Sequence, residues 1–260
     1  MCKQAGGASD KTETGALPEV TAIILAGGIG SRLKDITDLP KPIVPVFGKP
    51  FLFYLLQALK LNGIDRAIIC AGYRSELVIA TMQQWNPGLD LTFSIETTAM
   101  GTGGASRLAA QHLKTELALL MNGDSLCDFD LKSFVDFQRQ HPGHPSMVVT
   151  PVADCSRYGR VLFSSDGKVD GFEEKNPLAS EGWINAGVYL IPAGKLRDLP
   201  AQVPLSLERE VFPLWLGEGI HAFPVHAPFL DIGTPDSYLK KEAFVEKITQ
   251  SQTTIEVTPR

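Results

Sequence analysis

Short apolar runs alternate with amphipathic segments along the first half of the chain. Residues 20–25 form an apolar run that breaks at Ala26-Gly27-Gly28, which is typical of a strand buried on both faces of a sheet. Pro50 opens and Gly63 closes the next apolar segment, which predicts a helix at 51–61. The alternation then repeats and predicts strands at 66–70, 91–95 and 117–121 and helices at 75–84, 105–113 and 131–140.

Repeated strand–helix units of this kind predict an α/β fold, a doubly wound and mostly parallel Rossmann-like sheet with right-handed crossovers. From residue 147 the pattern changes to short strands separated by turn signals such as Ser165-Asp166-Gly167. The change predicts a smaller mixed or antiparallel extension, with strands at 147–152, 159–163 and 183–190. A last helix is predicted from Pro235 to about Lys247.

The chain contains no internal repeat and no Pro- or Ser-rich linker that would divide it. We therefore predict a single domain over residues 18–248, with a first half at about 18–145 and a second half at about 146–248. Residues 1–17 are expected to form a flexible leader and residues 249–260 a polar tail.

Composition and charge exclude several classes of protein. Apolar residues make up 44% of the 260 residues and charged residues 20%. This apolar share is enough to close a core and excludes wholesale disorder. The net charge of −5, without a long basic run, disfavours binding to nucleic acid or to an anionic membrane. There is no long unbroken apolar stretch, no apolar segment of a signal peptide and no metal-type spacing of cysteines, so we expect a cytoplasmic protein.

The loop after the first strand carries the densest candidate chemistry. It reads Ala26-Gly27-Gly28-Ile29-Gly30-Ser31-Arg32-Leu33, and Pro40-Lys41-Pro42 follows. Glycines let backbone N–H groups approach a phosphate, while Arg32 supplies a rigid fork and Lys41 a point charge. Between two prolines, Lys41 is predicted in extended backbone. A dinucleotide fingerprint fails because Leu33 replaces the third glycine, and a Walker loop fails because Gly48-Lys49 is followed by Pro50.

Two aspartates that follow apolar segments are candidate metal ligands. Asp124, in Asn122-Gly123-Asp124, comes just after the predicted strand 117–121, and Asp231 ends the stretch 228–230. Ligands of open α/β sheets bind beyond the carboxyl ends of the strands, and Mg²⁺ takes one or two carboxylates plus phosphate oxygens. An aspartate after a strand is also a common turn former or helix cap, so the residues alone leave both interpretations open. The sequence contains no Ser, Cys or His constellation for nucleophilic catalysis.

Six motifs occur in the order typical of one family. Over residues 20–245 the chain resembles the sugar-1-phosphate nucleotidyltransferases, which implies the nucleotidyltransferase type A fold. The motifs are the glycine loop with Pro40-Lys41-Pro42, then Gly101-Thr102-Gly103-Gly104, Asn122-Gly123-Asp124, Glu173-Glu174-Lys175, Asn185-Ala186-Gly187-Val188-Tyr189 and Asp231-Ile232-Gly233-Thr234.

The resemblance implies an enzyme that transfers a nucleotidyl group from a nucleoside triphosphate to a sugar 1-phosphate with the help of Mg²⁺. The first half of the domain would bind the nucleotide and the second half the sugar, with no nucleic-acid or membrane partner. Implied catalytic residues are Arg32, Lys41, Asp124 and Asp231, and the two aspartates would hold Mg²⁺. The implied nucleotide-binding residues are Leu25, Ala26, Gly27, Gly28, Gly30, Ser31, Arg32, Lys41, Glu96, Gly101, Thr102, Gly103 and Asp124, and the sugar phosphate-binding residues are Gly159, Glu174, Lys175 and Asn185.

Within the family, the chain looks most like the D-glycero-α-D-manno-heptose 1-phosphate guanylyltransferases. The segments that carry this likeness are Tyr158-Gly159-Arg160-Val161, Gly171-Phe172-Glu173-Glu174-Lys175 and Ser206-Leu207-Glu208. The branch implies GTP and the heptose phosphate as substrates. Muramate-type uridylyltransferases tend to carry a carboxylate where this chain has Gly101.

Two features leave the base open: Ala99-Met100 stands where the guanylyltransferase branch usually has Pro-Leu, and a glutamate like Glu96 also occurs in uridylyl relatives. The alternatives are a uridylyltransferase for N-acetylmuramate 1-phosphate or a hexose 1-phosphate, a mannose-1-phosphate guanylyltransferase, and a nucleotide-sugar-sensing regulator on the same fold. A homodimer is also left open.

Overall fold

The structure, a computed structural model, describes residues 16–173 and 181–255. Its strands are β1 Val20–Leu25, β2 Pro45–Val46, β3 Lys49–Pro50, β4 Arg66–Ala71, β5 Asp90–Ile95, β6 Leu117–Asn122, β7 Ser125–Cys127, β8 Ser146–Val152, β9 Arg160–Phe163, β10 Val169–Glu173, β11 Gly182–Pro192, β12 His221–Pro224 and β13 Phe229–Asp231. Its helices are α1 Phe51–Leu61, α2 Ser75–Gln84, α3 Gly101–Ala109, α4 Leu131–Arg139, α5 Ala193–Arg197, α6 Phe212–Trp215, α7 Pro235–Leu239 and α8 Lys241–Ile255. Shorter 3-10 turns lie at Ser31–Leu33, Lys41–Ile43 and Ala110–His112, and a π-helical turn lies at Leu207–Val211. Within these ranges, no helix is long and apolar enough to cross a bilayer.

Four parallel strands form the centre of the main sheet. They pair in the order β5-β4-β1-β6, so the third, second, first and fourth of these strands along the chain lie side by side, as in dinucleotide-binding α/β folds. The sheet continues with β11 antiparallel to β6, β8 antiparallel to β11, and β12 parallel to β8. The predicted mostly parallel sheet with a mixed extension is therefore confirmed.

β1 is buried on both faces of this sheet. Ile24 packs on one face with Phe51 of α1 and Phe134 of α4, whereas Ile23 packs on the other face with Ala109 of α3. Both isoleucines are fully buried. Helices cover both faces of the strand, which explains why the run 20–25 is mostly apolar instead of alternating.

β11 changes its neighbours midway along its length. On one side it pairs with β8, with a register shift between Asn185 and Tyr189, and on the other side it pairs first with β9, at Ile184, and then with β6 from Val188 onwards. The shift contains Gly187, whose φ is +70°. A methyl group at this glycine would overlap the side chain of Asn122 at the end of β6. The glycine therefore lets the bulge bring the smaller β9–β10 hairpin next to the carboxyl ends of the parallel strands.

Three local predictions need correction. Helix α3 begins at Gly101, four residues before the predicted 105. The prediction missed this start because three of the first four residues of α3 are glycines, which show no apolar pattern. Gly101 itself takes φ +73°, a conformation that favours glycine. Lys41, predicted in extended backbone, begins a 3-10 turn, since proline is tolerated in a first turn. The single last helix is two helices, α7 and α8.

The two ends of the domain differ from their expected outline. Leu17, in the segment predicted as a leader, is buried, and its N–H donates to the carbonyl oxygen of Gly63 at 3.1 Å. At the other end, α8 continues to Ile255, inside the segment predicted as a polar tail. Residues 1–15 lie outside the described residues, so the division into leader, two half-domains and tail stays a prediction.

Truncating the centre of β1 should destabilise the whole domain. We expect Ile24→Ala to lower the free energy of unfolding by about 2–5 kcal/mol, because it leaves a cavity between the sheet and α1. Urea unfolding followed by circular dichroism measures this change. The matched control is Ile36→Ala, whose side chain is 43% exposed and whose loss should change the free energy by less than about 0.5 kcal/mol. Equal effects of the two variants would contradict the central position of β1.

Candidate active site

Two adjoining cavities open at the carboxyl ends of β1 and β6. The first, of about 500 Å³, is lined by the glycine loop, by Lys41 and by residues around Glu96. The second, of about 1000 Å³, is lined by residues 157–161, by the middle of β11 and by Asp231. The two cavities share one wall, which we call the common wall and which consists of Gly101, Thr102, Asn122 and Glu208. This is where the strand order of the parallel sheet reverses, the usual ligand site of such sheets.

Two side chains pack against the backbone of the glycine loop. The carbonyl oxygen of Gly27 accepts the N–H of Tyr73 at 3.1 Å, which ties the loop to the residues after β4. A methyl group at Gly27 would overlap the carboxylate of Glu96, and a Cβ at Gly30 would lie 3.1 Å from Cγ of Lys41. Gly30 also has φ +67°, which favours glycine. The loop is therefore glycine-rich because Glu96 and Lys41 lie against it.

Lys41 extends from this loop to the carboxyl end of β6. Its Nζ lies 2.9 Å from Oδ2 of Asp124, and 18% of the lysine side chain is exposed. A Cβ at Gly233 would lie 3.2 Å from the same Nζ. The ammonium group is thus placed between Asp124 and the turn that follows Asp231.

A short antiparallel pair of strands places the two aspartates side by side. Asp231 of β13 pairs with Ser125 of β7, and the N–H of Ile232 donates to the carbonyl oxygen of Asp124 at 2.9 Å. Oδ1 of Asp231 accepts the N–H of Gly233 at 2.6 Å. Burial raises the pKa of Asp231, and the nearby charge of Asp124 raises this pKa further. Two carboxylates at one edge, one of them disfavoured in its charged form, are an arrangement that a cation would relieve.

The second cavity is polar and has several cationic side chains in its lining. Arg160 pairs with Glu173 at 3.1 Å, and Arg157 donates to the hydroxyl of Thr234. A Cβ at Gly159 would lie 2.9 Å from the carbonyl oxygen of Glu173, so a side chain does not fit there. In the described residues, the arginines that line this cavity are Arg32, Arg157, Arg160 and Arg209. The cavity is suited to an anionic, hydroxylated ligand.

The structure brings most of the residues singled out in the sequence to these two cavities. Arg32, Gly159, Asn185 and Asp231 line the second cavity, and Gly103 lines neither because it packs under Leu205. Glu174, Lys175 and the side chain of Ser31 lie outside the described residues. The first cavity is lined by Leu25, Ala26, Gly27, Gly28, Gly30, Lys41, Glu96, Gly101, Thr102 and Asp124.

Several residues that line these cavities were not singled out from the sequence, and Arg157, Arg160 and Arg209 are among them. Three others, Asn122, Tyr189 and Glu208, all line the second cavity, and two of these three belong to the common wall. Each lies inside a segment used for the family resemblance. No separate sequence signal marks them, because an Asn after a strand, a Tyr in a strand and a Glu in a helical turn are ordinary residues at those positions.

Comparison with known proteins begins from curated relatives. The D-glycero-alpha-D-manno-heptose 1-phosphate guanylyltransferase of Aneurinibacillus thermoaerophilus is 34% identical over 223 residues, which cover 85% of this chain and 96% of that protein. The mannose-1-phosphate guanylyltransferase catalytic subunit beta of Danio rerio is 35% identical over 225 residues, 84% of this chain. This chain spans 62% of the length of that second relative.

Solved structures and the family comparison agree with these matches. The crystal structure of HddC from Yersinia pseudotuberculosis, complexed with GMP-PN, has a TM-score of 0.77 and 33% sequence identity, and the match covers 86% of this chain and 98% of that one. Nucleotidyltransferases of this kind generally use a divalent metal ion. The family model described as nucleotidyl transferase matches residues 21–248. The chain therefore belongs to the nucleotidyl transferase family.

Proposed function

We propose that this protein transfers a guanylyl group from GTP to a sugar 1-phosphate, with D-glycero-α-D-manno-heptose 1-phosphate as the acceptor, and releases pyrophosphate. One observation carries the proposal. A glycine loop with a lysine on it, two adjacent aspartates and a polar cavity lined with arginines form one continuous cleft. The names of the heptose and mannose 1-phosphate guanylyltransferase relatives support the choice of base and the class of sugar.

The first cavity is the proposed nucleotide site. Backbone N–H groups of the glycine loop would donate to the phosphates, and Lys41 would neutralise part of their charge. The N1–H and N2–H₂ edge of guanine needs acceptors, and Glu96 offers a carboxylate in this cavity. Its Oε2 accepts the N–H of Met100 at 3.2 Å, while burial raises the pKa of this carboxyl group.

Gly101 favours guanylyl transfer over the muramate-type alternative. Its φ is +73°, and a methyl group there would overlap the carbonyl oxygen of Leu205. A carboxylate at this position, as in the muramate-type uridylyltransferases, does not fit this wall. We therefore rank guanylyl transfer first, and uridylyl transfer to a hexose or muramate phosphate second.

The second cavity is the proposed sugar phosphate site. Its volume of about 1000 Å³ is twice that of the nucleotide cavity, and its arginines and Asn185 offer donors to phosphate and hydroxyl oxygens. Gly159 would let the sugar approach the backbone. Glu174 and Lys175 stay proposed ligands of the sugar hydroxyls and phosphate on the strength of the family resemblance.

The proposed chemistry needs no general base from the protein. A sugar phosphate with a second pKa of about 6 is mostly a dianion at neutral pH. One of its oxygens forms a bond to the α-phosphorus, the bond from that phosphorus to the α–β bridging oxygen breaks, and pyrophosphate leaves with the electron pair. Because two polyanions have to meet in line, positioning and charge neutralisation by Lys41 and Arg32 would carry the catalysis.

Mg²⁺ is the proposed divalent ion, held by Asp124 and Asp231. The donor set fits, because the two carboxylates lie at one edge and the charge of Asp124 disfavours the charged form of Asp231. No group of three or more His, Cys, Asp or Glu side chains within residues 16–173 and 181–255 would hold a metal by itself. Mg²⁺ commonly takes one or two carboxylates and completes its shell with phosphate oxygens and water. When bound, the ion would supply charge neutralisation to the triphosphate.

The proposed location is the cytoplasm, where nucleoside triphosphates are available. The free thiols of Cys70 and Cys127 are compatible with such a reducing compartment. The homodimer considered from the sequence stays a hypothesis and does not enter the mechanism.

Pyrophosphate release tests the proposed reaction. The assay crosses GTP, UTP, ATP, CTP and dTTP with the 1-phosphates of manno-heptose, mannose, glucose and N-acetylmuramic acid in the presence of Mg²⁺. We expect release with GTP and the heptose phosphate. Release with UTP and another sugar would keep the site and the mechanism but overturn the proposed substrates. A folded protein that releases no pyrophosphate with any pair would favour the alternative of a nucleotide-sugar-sensing regulator.

Replacing Asp124 should abolish most of the turnover. We expect Asp124→Asn to lower kcat by about 100-fold or more, since it removes the carboxylate that holds Lys41 and a proposed metal ligand. The same pyrophosphate assay measures the loss. Asp236→Asn, which neutralises an exposed carboxylate on α7, is the matched control and should stay within about threefold of the parent. An Asp124→Asn variant with parental turnover would contradict the assigned role.

Asp231 should make the stability of the metal-free protein depend on pH. A carboxyl pKa raised in the folded state means that the folded protein holds its proton more tightly than the unfolded chain, so stability falls as pH rises from the unfolded pKa through the folded one. Asp231→Asn lacks this penalty and keeps the amide oxygen for the N–H of Gly233. In EDTA we therefore expect Asp231→Asn to raise Tm at pH 7 and to give little gain at pH 3.5.

Thermal unfolding by circular dichroism at the two pH values checks the prediction. The matched control is Asp35→Asn, which removes an exposed carboxylate and should give no such pH-dependent gain. Added Mg²⁺ and nucleotide should stabilise the parent more than Asp231→Asn. A gain in Tm that is the same at both pH values would show that burial of the charge is not its cause.

A further inference from the structure

The common wall contains one carboxylate that the proposed mechanism does not use. Glu208 lies in the π-helical turn Leu207–Val211 and lines both cavities. A carboxylate near two anionic ligands repels both of them, so its hydrogen bonds have to offset that repulsion. The hydrogen-bond partners of Glu208 form two branches, one towards each cavity.

The first branch leads to the nucleotide cavity. The hydroxyl of Thr102 donates to Oε2 of Glu208 at 2.8 Å, and the same hydroxyl oxygen accepts the N–H of Leu207 at 2.9 Å. Ser206 donates its hydroxyl to Oε2 as well, at 3.1 Å. The Thr102 hydroxyl is thus fixed in both position and direction, at the first turn of α3.

Backbone hydrogen bonds attach the segment before Glu208 to the same turn. The N–H of Leu205 donates to the carbonyl oxygen of Met100 at 2.9 Å, and the carbonyl oxygen of Leu205 accepts the N–H of Gly103 at 2.8 Å. These bonds surround Gly101, the wall residue that tolerates no side chain. The turn that bounds the nucleotide cavity is therefore held by a segment from the second half of the chain.

The second branch leads to the sugar cavity. The hydroxyl of Tyr189 lies 3.5 Å from Oε1 of Glu208 and accepts the side-chain N–H of Asn185 at 2.7 Å. Oδ1 of Asn185 accepts the N–H of Gly187 at 2.8 Å. Burial and the charge of Glu208 raise the pKa of Tyr189 well above its ordinary value, so the hydroxyl keeps its proton.

The direction of this second branch follows from the chemistry of its end. An ionised carboxylate only accepts hydrogen bonds, so Tyr189 donates towards Glu208 and uses its oxygen to accept from Asn185. The amide of Asn185 is then fixed with its nitrogen towards Tyr189 and its oxygen towards Gly187. Glu208 thus orients the hydroxyl of Tyr189, and this hydroxyl oxygen and the N–H of Gly187 together orient the amide of Asn185 beside the sugar cavity.

We infer that Glu208 is a positioning residue shared by the two substrate sites, acting on the nucleotide site through Thr102 and on the sugar phosphate site through Tyr189 and Asn185. The inference rests on the proposed function, because it assigns one substrate to each cavity. It predicts that a single change at Glu208 weakens the use of both substrates, whereas a change in one branch weakens the use of one.

Steady-state kinetics with pyrophosphate release separates the two branches. We expect Glu208→Met, which removes both acceptor oxygens, to raise KM for the nucleotide and KM for the sugar phosphate, each by about three- to tenfold, the size expected for a lost hydrogen bond. Thr102→Val should raise mainly the nucleotide KM, and Tyr189→Phe mainly the sugar phosphate KM. Adding Thr102→Val to Glu208→Met should raise the nucleotide KM little further, because both changes break the same contact.

The control is Glu210→Gln on the same turn. The Glu210 carboxylate accepts the N–H of Ser206 at 2.7 Å, a bond that a glutamine oxygen keeps, so both KM values should stay within about twofold of the parent. Circular dichroism and Tm verify that each variant is folded. The branch variants test the inference even where Glu208→Met fails to fold.

Three results would overturn the inference: a Glu208→Met variant that changes only one KM, a Glu210→Gln variant that changes both, or branch variants that each change both equally. Failure of the proposed function has a different signature. In that case the parent protein releases no pyrophosphate with any substrate pair, whereas an active parent with unaffected variants contradicts the role of Glu208 alone.

Discussion

The site depends on two carboxylates that the backbone holds at one edge. Pairing of β13 with β7 places Asp231 next to Asp124, and burial makes the second charge costly. Lys41 offsets part of that cost by its ion pair with Asp124. A bound proton or the proposed divalent ion would offset the rest of that cost, which is why the pair of aspartates is the proposed metal site.

The fold provides this edge by simple geometric means. The parallel strands β1 and β6 end side by side, and the N–H of Gly123 donates to the carbonyl oxygen of Leu25 at 2.9 Å. A Cβ at Gly123 would lie 2.8 Å from that oxygen. Glycine is therefore required just before Asp124, as it is at Gly30 beside the stem of Lys41. The glycines of the motifs permit close contacts within the protein, in addition to the approach of a phosphate to the backbone.

Sequence patterns predicted the elements whose burial is regular and missed those set by other forces. The strand 20–25 and the helices 51–61 and 75–84 were predicted at their observed bounds, because apolar side chains decide their positions. The start of α3 was wrong because it depends on a glycine with positive φ and on backbone bonds to Leu205, distant in sequence. Asp124 and Lys41 were singled out by their motifs, but their ion pair joins residues 83 positions apart, a separation that periodicity does not report.

Glu208 shows why a charged residue of a site can escape sequence analysis and still be needed there. A negative charge between the two proposed anionic substrates opposes the binding of both, so Glu208 does not neutralise their charge. In the structure, hydroxyl groups of Thr102, Ser206 and Tyr189 surround the carboxylate. A glutamine would offer these hydroxyls one acceptor oxygen and a donor in place of the other, whereas a carboxylate accepts at both of its oxygens. The charge is then tolerated for the order it imposes on the wall between the two cavities.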